Sequence, residues 1–265
     1  MAVCSVGKAV NMLIRDSRLR HRTTLINFGA DLSFKKMPAP TISRSSLDFL
    51  KQLAKNNNRD WFNAHKDRYL IEHETIAAFA EALLQEMNRH DVIETASGKK
   101  SLHRIYRDTR FSKEKTPYKT SWSGGFRRAT KARRGSYYFH IEPGNTFIGG
   151  GFWGPEPDDM KRIRDEFAYD AKPFRKITGA KTFRDTFGEL YGEQIKTTPK
   201  GYKADDPAID LLRYKQFLLV KHFSDKEVLS ENFLKEVNSS FRKMRPFLDY
   251  MTSVLTTDTN GISLV

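Results

Sequence analysis

The sequence predicts an α+β fold, in which an antiparallel sheet of about four to five strands packs with N-terminal and C-terminal helices. Apolar residues recur with helical spacing up to about residue 90, alternate with a period of two from about 103 to 153, and return to helical spacing after 155. Hydrophobic residues make up 38% and charged residues 29% of the chain, which is typical of a globular protein. We therefore predict a single α+β domain over residues 37–265.

Two helices are predicted before the sheet. The first is expected to begin at a cap on Ser45 or Ser46 and to end at the asparagine run 56–58, because asparagine competes for backbone hydrogen bonds. The second opens near Arg59 and continues to about His90 as a long amphipathic helix.

Four short strands are predicted next, separated by turn signals at Thr116-Pro117, Arg134-Gly135 and Pro143-Gly-Asn145. The turns are short, so the strands should form an antiparallel meander. The strands cover residues 103–111, 121–128, 136–142 and 146–153.

The remainder of the chain is predicted to be mainly helical. Helices are expected at about 160–167, 172–178 and 180–188, followed by a closing helix over 230–256 that is interrupted near Pro246. Residues 215–223 are nearly continuously apolar at their centre and predict one further strand, either central in the sheet or well covered.

Several classes of protein are excluded by composition and motifs. No apolar run approaches the roughly 20 residues that a bilayer-spanning helix needs, so we predict no membrane association. The single cysteine, Cys4, excludes an internal disulfide framework or a multi-cysteine metal site, and it fits a reducing, cytoplasmic location. Phosphate-loop, dinucleotide-binding, nucleophile-elbow and zinc-protease motifs are absent, and His65 and His73 are too far apart for one-turn ligation. We predict no cofactor and no metal.

The first 36 residues show no clear secondary-structure period. Their arginines cluster between Arg15 and Arg22, without the apolar stretch of a secretory signal. We expect them to be a disordered extension or a misassigned start upstream of Met37, with an organellar targeting segment as the alternative.

The net charge of +14 is concentrated in one block. Residues 99–134 carry thirteen basic and two acidic residues, giving +11, whereas residues 135–265 carry nineteen of each. Scattered surface lysines would not concentrate in this way. A focused positive field attracts phosphates, nucleic acid or another anionic ligand.

The segment from His103 to Lys119 is therefore the predicted functional centre. If residues 103–111 form a strand, alternation places Arg104, Asp108 and Arg110 on one face, where the carboxylate can orient a guanidinium toward an anion. Asp108 and His140 are the candidate acid/base residues. The predicted ligand-binding residues are Arg104, Arg107, Arg110, Ser112, Lys115, Tyr118 and Lys119.

A purely structural interpretation is kept for these residues. Arg104, Asp108 and Arg110 can equally form a structural ion-pair network. Lys131, Arg133 and Arg134 lie in a predicted turn and are expected to be ordinary solvent-exposed charge.

Four motifs resemble an uncharacterised, mainly bacterial family catalogued as domain of unknown function 2461. They are Asn56-Asn-Asn-Arg-Asp-Trp-Phe62, the basic motif from Arg104 to Lys119, Tyr137-Tyr-Phe-His-Ile-Glu-Pro-Gly144 and Gly149-Gly-Gly-Phe-Trp-Gly-Pro155. The likeness covers roughly residues 41–255 and implies that residues 1–36 lie outside the domain. It implies no activity, catalytic residue or cofactor.

Three functions remain open from the sequence. The first is binding of a phosphate-bearing ligand, either nucleic acid or a nucleotide, because aromatic residues interleaved with the basic ones can stack on bases. The second is an enzyme acting on an anionic substrate, with an Arg/Lys clamp and Asp108 or His140 as acid/base. The third is an interaction module for an acidic protein. The sequence does not predict the oligomeric state.

Overall fold

A computed structural model describes residues 40–129, 131–258 and 261–265. The expectations for residues 1–36 lie outside this part of the chain. Within it, the helices are α1 (Arg44–Lys55), α2 (Arg59–Ala64), α3 (Lys66–Met87), α4 (Gly98–Ser101), α5 (Pro157–Asp170), α6 (Lys172–Gly179), α7 (Lys181–Phe187), α8 (Ile209–Leu212), α9 (Asp225–Val228) and α10 (Phe233–Thr256).

The strands form one antiparallel sheet with the order β1-β2-β3-β4, which together with the helices confirms the α+β prediction. The register places Tyr138 opposite Gly125 and Gly149, and His140 opposite Ser123 and Phe147. The strands are β1 (Trp122–Arg127), β2 (Ser136–Ile141), β3 (Thr146–Phe152) and β4 (Phe217–Phe223).

The helices pack against one face of the sheet, called here the inner face. Aromatic side chains make most of this contact, because alternation along each strand turns them to the same side. Phe139 meets Phe79 of α3 edge-on with ring centroids 6.2 Å apart, and Tyr137 meets Phe241 of α10 at 5.0 Å. Among the described residues, the aromatic rings of the opposite, outer face make no such contact with a helix and touch one another instead.

The N-terminal helices follow the prediction with two differences, a shifted cap on α1 and a break at His65 that divides the second predicted helix into α2 and α3. Ser43, rather than Ser45 or Ser46, caps α1 by accepting a hydrogen bond from the Ser46 backbone N–H at 3.0 Å. The hydroxyls of Ser45 and Ser46 both donate to the buried carboxylate of Glu72 on α3, which ties α1 to that helix. The asparagine run ends α1, and it also starts α2.

The predicted strand over 103–111 is wrong. Leu102 and Tyr106 form only isolated bridges, to Gly124 and Tyr118. The Asp108 carboxylate accepts a hydrogen bond from the Arg110 backbone N–H at 3.2 Å, and such a local contact competes with strand pairing. Residues 108–116 therefore form a loop, and the alternation that placed Arg104, Asp108 and Arg110 on one strand face does not apply.

Two smaller predictions also change. β4 is not central, but its outer edge is covered because Leu218 exchanges backbone hydrogen bonds with Tyr191 at 2.8 and 3.1 Å. α10 continues through Pro246 instead of breaking there. Within the described residues, no helix combines the length and apolar character that a bilayer crossing requires.

Candidate ligand-binding site

The outer face of the sheet holds a groove with a volume of about 640 Å³. It crosses β2, β3 and β4 and ends at Tyr191, which covers the free edge of β4. The groove is called here the aromatic groove, and its large lining side chains are Tyr138, Phe147, Trp153, Tyr191, Leu218 and His222.

Three consecutive glycines of β3 shape the floor of this groove. Gly149 and Gly151 face outward and leave the floor bare, while Gly150 faces inward. A Cβ on Gly150 would stand 2.6 Å from the sulfur of Met244 on α10. Gly151 has a φ of +131°, and a Cβ there would overlap the carbonyl oxygen of Phe217. A side chain is therefore excluded at Gly150 on the inner face and at Gly151 beside β4.

A hydrogen-bonded row of polar side chains lies along β2 beside the groove. Tyr138 Oη is 3.0 Å from His140 Nδ1, and His140 Nε2 is 3.2 Å from Glu142 Oε2. Burial raises the pKa of Tyr138, so its hydroxyl stays protonated at neutral pH. We assign the hydrogen bonds so that the Tyr138 hydroxyl donates to Nδ1 of His140 and the Nε2–H of His140 donates to the carboxylate.

Glu142 anchors the end of this row. Burial alone would raise the pKa of Glu142, but hydrogen bonds from Thr120, Asn145 and His140 lower it overall. The Thr120 hydroxyl donates at 2.6 Å and the Asn145 amide at 2.9 Å. The carboxylate is thus ionised at neutral pH and holds the His140 ring, which stacks on Phe147 with centroids 4.7 Å apart.

His103 connects the groove to the basic part of the chain. Its ring lies 5.8 Å from that of Tyr138, and its Nδ1 is 3.3 Å from the hydroxyl of Ser123. Gly125, which pairs with Tyr138, lies beside this ring, since a Cβ there would be in van der Waals contact with His103 Nε2, at 3.8 Å. Burial, and then the positive charge of Lys119, lower the pKa of His103. His103 is consequently neutral at pH 7.

Basic side chains gather just beyond β1. Lys99, Lys100, His103 and Arg104 line a pocket of about 330 Å³. Lys119 acts electrostatically on both His103 and Arg104, because its pKa is lowered by burial and then by the like charge of Arg104. The four cations, Lys99, Lys100, Arg104 and Lys119, are called here the cationic cluster.

The other predicted ligand-binding residues lie away from this cluster or in the core. Arg107 donates to the Thr116 hydroxyl at 2.9 Å within the hairpin. Lys115 donates to the carbonyl of Thr109 at 2.9 Å, and Ser112 lies half-buried in the same loop. Tyr118 is only 3% exposed and stacks on Phe62 with centroids 4.0 Å apart.

The two predicted acid/base residues have different surroundings. Asp108 forms an exposed bidentate pair with Arg110, at 2.6 and 3.0 Å, and this pair lowers the pKa of Asp108. It does not line either cavity. His140, in contrast, lies beside the aromatic groove with both ring nitrogens hydrogen-bonded.

The end of the basic block forms a buried ion network that the sequence did not lead us to expect. Arg128 has a fully buried side chain and donates to Asp91 at 2.8 Å, and also to Asp249 of α10. Arg133 contacts Asp91 at 3.0 Å and Arg134 contacts Asp159, so the prediction of plain solvent-exposed charge is wrong for these two arginines. The positive charge of these arginines is therefore neutralised by carboxylates within the protein.

Sequence signals for the missed residues were weak. Arg128 continues the inward alternation of Trp122, Gly124 and Phe126, which identifies it as an inward-facing cation. For the groove, Tyr137-Tyr-Phe-His-Ile141 is apolar on both faces of a strand, which indicates a covered or ligand-facing surface. Nothing local in the sequence brings Tyr191 to this surface.

A family model for conserved hypothetical proteins, DUF2461, matches residues 45–250. The chain belongs to this family. The match includes the aromatic groove, the cationic cluster and the buried ion network, so all three are features of the DUF2461 region of the chain. Searches of curated proteins and of solved structures gave no match.

Proposed function

We propose that the protein binds a phosphate-bearing ligand, nucleic acid or a nucleotide, at the cationic cluster. The observation that carries the proposal is the position of Lys119 beside Arg104: the Lys119 backbone N–H donates to the carbonyl of Ile105 at 2.7 Å, and burial and then the like charge of Arg104 lower the pKa of Lys119. Among the described residues, no ion pair joins either of them to a carboxylate. A bound phosphate would relieve this repulsion, since each cation would gain an opposite charge.

The surroundings of the cluster support an anion rather than a neutral ligand. The pocket wall adds the cations Lys99 and Lys100 beside the neutral His103, and among the described residues Lys99 pairs with the exposed Glu74, at 2.6 Å. Exposed salt bridges of this kind contribute little and exchange easily with another anion. The wall therefore offers several cationic donors to one ligand.

The decisive experiment is a salt titration of ligand binding. Labelled single-stranded DNA, duplex DNA and RNA would be titrated with the full-length protein by fluorescence anisotropy at several salt concentrations. Each phosphate contact that is lost should reduce the log–log salt slope by about 0.7 for a single strand. The double variant Arg104→Ala/Lys119→Ala should therefore bind more weakly, with a slope lower by roughly 1.4.

A charge-matched control separates the cluster from net charge. Arg242→Ala/Lys243→Ala removes one arginine and one lysine from the exposed side of α10, the helix that packs on the inner face of the sheet. It should leave the affinity and the salt slope unchanged. Equal losses in both variants, or only millimolar binding by the wild type to every polymer and to mononucleotides, would reject the proposal.

A second function, an enzyme acting on an anionic substrate, is favoured by the His140–Glu142 pair beside the groove. The pair has the arrangement of a general base held by a carboxylate, with the cationic cluster as the charge clamp. On this proposal, His140→Asn should lower turnover of a phosphate ester about 100-fold or more while ligand affinity is kept. A screen that finds no turnover of phosphomonoesters or nucleotides by the wild type would remove this candidate.

A further inference from the structure

We propose that the aromatic groove is the nucleobase subsite of the same ligand, so that the ligand joins a base to a phosphate. This inference rests on the proposed function, because the cationic cluster supplies the phosphate end. It adds a second site on a different surface, formed by different residues.

Exposed aromatic side chains are the first argument. Trp153 is 71% exposed and Tyr191 59% exposed, although both are large apolar residues. An open face of an antiparallel sheet usually carries polar side chains, and an apolar surface of this kind commonly marks a binding site. Indole and phenol rings offer flat faces on which a base stacks without regard to its identity.

The bare floor is the second argument. Tyr138 and Val220 flank Gly149, and Ser136 and Leu218 flank Gly151, on the outward side of the sheet. The absence of side chains at these two positions opens a slot over β3, with the Tyr138 ring on the β2 side and the aliphatic Val220 and Leu218 on the β4 side. A planar group can enter such a slot, lie against the backbone of β3 and contact these side chains.

Continuity with the cationic cluster is the third argument. The segment that carries His103 pairs with β1, where its backbone N–H donates to the Ser123 carbonyl at 2.9 Å, and β1 pairs with β2. Two strand spacings separate this segment from Tyr138, or about 10 Å. The ring of His103 fills the interval. His103 therefore borders both sites, since it lines the pocket of the cationic cluster and its ring lies 5.8 Å from that of Tyr138 in the groove.

The chemistry of the rim favours a base over an apolar chain. Asn145, His222 and Ser136 line the groove with hydrogen-bonding groups beside its apolar walls. A nucleobase uses both, because it has a stacking face and a polar edge. A lipid tail or an apolar peptide would leave these groups, and the neighbouring cations, without partners.

The test compares two single strands of equal length and charge, one of ordinary DNA and one with every base removed. Full-length wild type should bind the base-bearing strand roughly tenfold more tightly, in line with one stacked base. Binding should also quench Trp153 fluorescence. A mononucleotide, measured in the same assay, distinguishes a small ligand from a polymer by whether it competes with the strand.

Two variants target the groove without the cluster. Trp153→Ala removes a wall, and Gly149→Val fills the floor at a position where a Cβ meets only the Leu219 carbonyl, at 3.3 Å. Both should abolish the preference for bases while affinity for the abasic strand stays the same. Tyr169→Ala is the matched control, because Tyr169 is 89% exposed on α5 outside the groove.

The outcomes separate the two proposals. Equal binding of the two strands by the wild type, weakened by Arg104→Ala/Lys119→Ala, would overturn the base subsite and leave phosphate binding intact. A base preference that survives both groove variants would also overturn it. Failure to bind either strand or the mononucleotide would reject both proposals.

Discussion

The two ends of the basic block between residues 99 and 134 have similar composition, but their side chains lie in different environments. At its far end, Arg128 is buried against Asp91 and Asp249, and Arg133 and Arg134 each contact a carboxylate. At its near end, Arg104 lines a pocket, and burial and then the like charge of Arg104 lower the pKa of Lys119. The first end serves the fold, and the second is where we propose that a ligand binds.

This difference shows that a cluster of positive charge has no single meaning. A buried cation must be paired, because an unpaired charge in the core is far too costly. An exposed cation needs no partner, so its charge can be directed at something outside the chain. Burial and the position of the carboxylates therefore decide which arginines are structural.

The largest expected effect is at Arg128. Arg128→Ala should lower the free energy of unfolding by about 3–5 kcal/mol, since it leaves the buried Asp91 carboxylate without its main charge partner. Urea denaturation followed by circular dichroism would measure this. Arg104→Ala should change the same quantity by no more than about 0.5 kcal/mol. Similar losses of unfolding free energy in the two variants would contradict the distinction between the two ends.

The next largest effect is a pH dependence of stability, which we expect from the buried end of the basic block. Burial alone would raise the pKa of Asp91, but hydrogen bonds from Tyr137 and Arg128 lower it overall below its ordinary value of 3.8. A carboxylate with a depressed folded pKa stabilises the protein above its unfolded pKa, and this contribution is lost as the pH falls through the folded pKa.

Stability should therefore decline below about pH 4 more steeply in the wild type than in Asp91→Asn, which has no such proton to gain. Urea midpoints measured between pH 5 and pH 2 would show it. Parallel pH profiles for the two proteins would mean that Asp91 does not contribute to acid denaturation.

A smaller effect tests the repulsion at the near end. Arg104→Ala should raise the pKa of Lys119 toward its ordinary value of 10.5, because one of the two causes that depress it is removed. Nuclear magnetic resonance of ¹³C-methylated lysines would follow the titration. Arg110→Ala serves as the control, since Arg110 is paired with Asp108 in the loop. An unchanged Lys119 titration in Arg104→Ala would remove the electrostatic basis for anion binding there.

The smallest effect is expected at the loop pair. Arg110→Ala should leave the urea midpoint unchanged, because both partners of the Asp108–Arg110 pair are well exposed, at 59% and 77%. It should also leave phosphate affinity close to that of the wild type. A clear loss of affinity would show that the loop 108–116 belongs to the binding site, as the sequence had suggested.

Periodicity was sufficient to predict most of the fold. The alternation from Ser136 to Ile141 and from Thr146 to Phe152 identified two strands correctly, and the spacing of apolar residues identified α3, α5 and α10. In these elements, burial of one face requires an apolar residue at every helical turn or at every second strand position, so the pattern is continuous. The prediction failed at 103–111, where alternation of charged and apolar residues imitates a strand and Asp108 turns the chain instead.

The site could be predicted only in part. The sequence pointed to Arg104, Lys119 and His140, but it also selected Tyr118, which packs in the core on Phe62. The charge and type of a residue do not indicate whether its side chain is buried in the folded protein. The groove was out of reach because Trp153 and Tyr191 come together only through the pairing of Tyr191 with Leu218, a contact between distant parts of the chain.

The three glycines of β3 have a consequence for how the groove can be observed. Around Gly150 the partition between the groove and the helical layer is a single backbone thick, and the sulfur of Met244 rests directly against its underside. The Met244 methyl group is therefore a natural reporter, shielded from solvent yet only one peptide layer from whatever occupies the slot. Met244 of α10 therefore supports the floor of the groove from the inner face at Gly150, a residue that itself lines the groove.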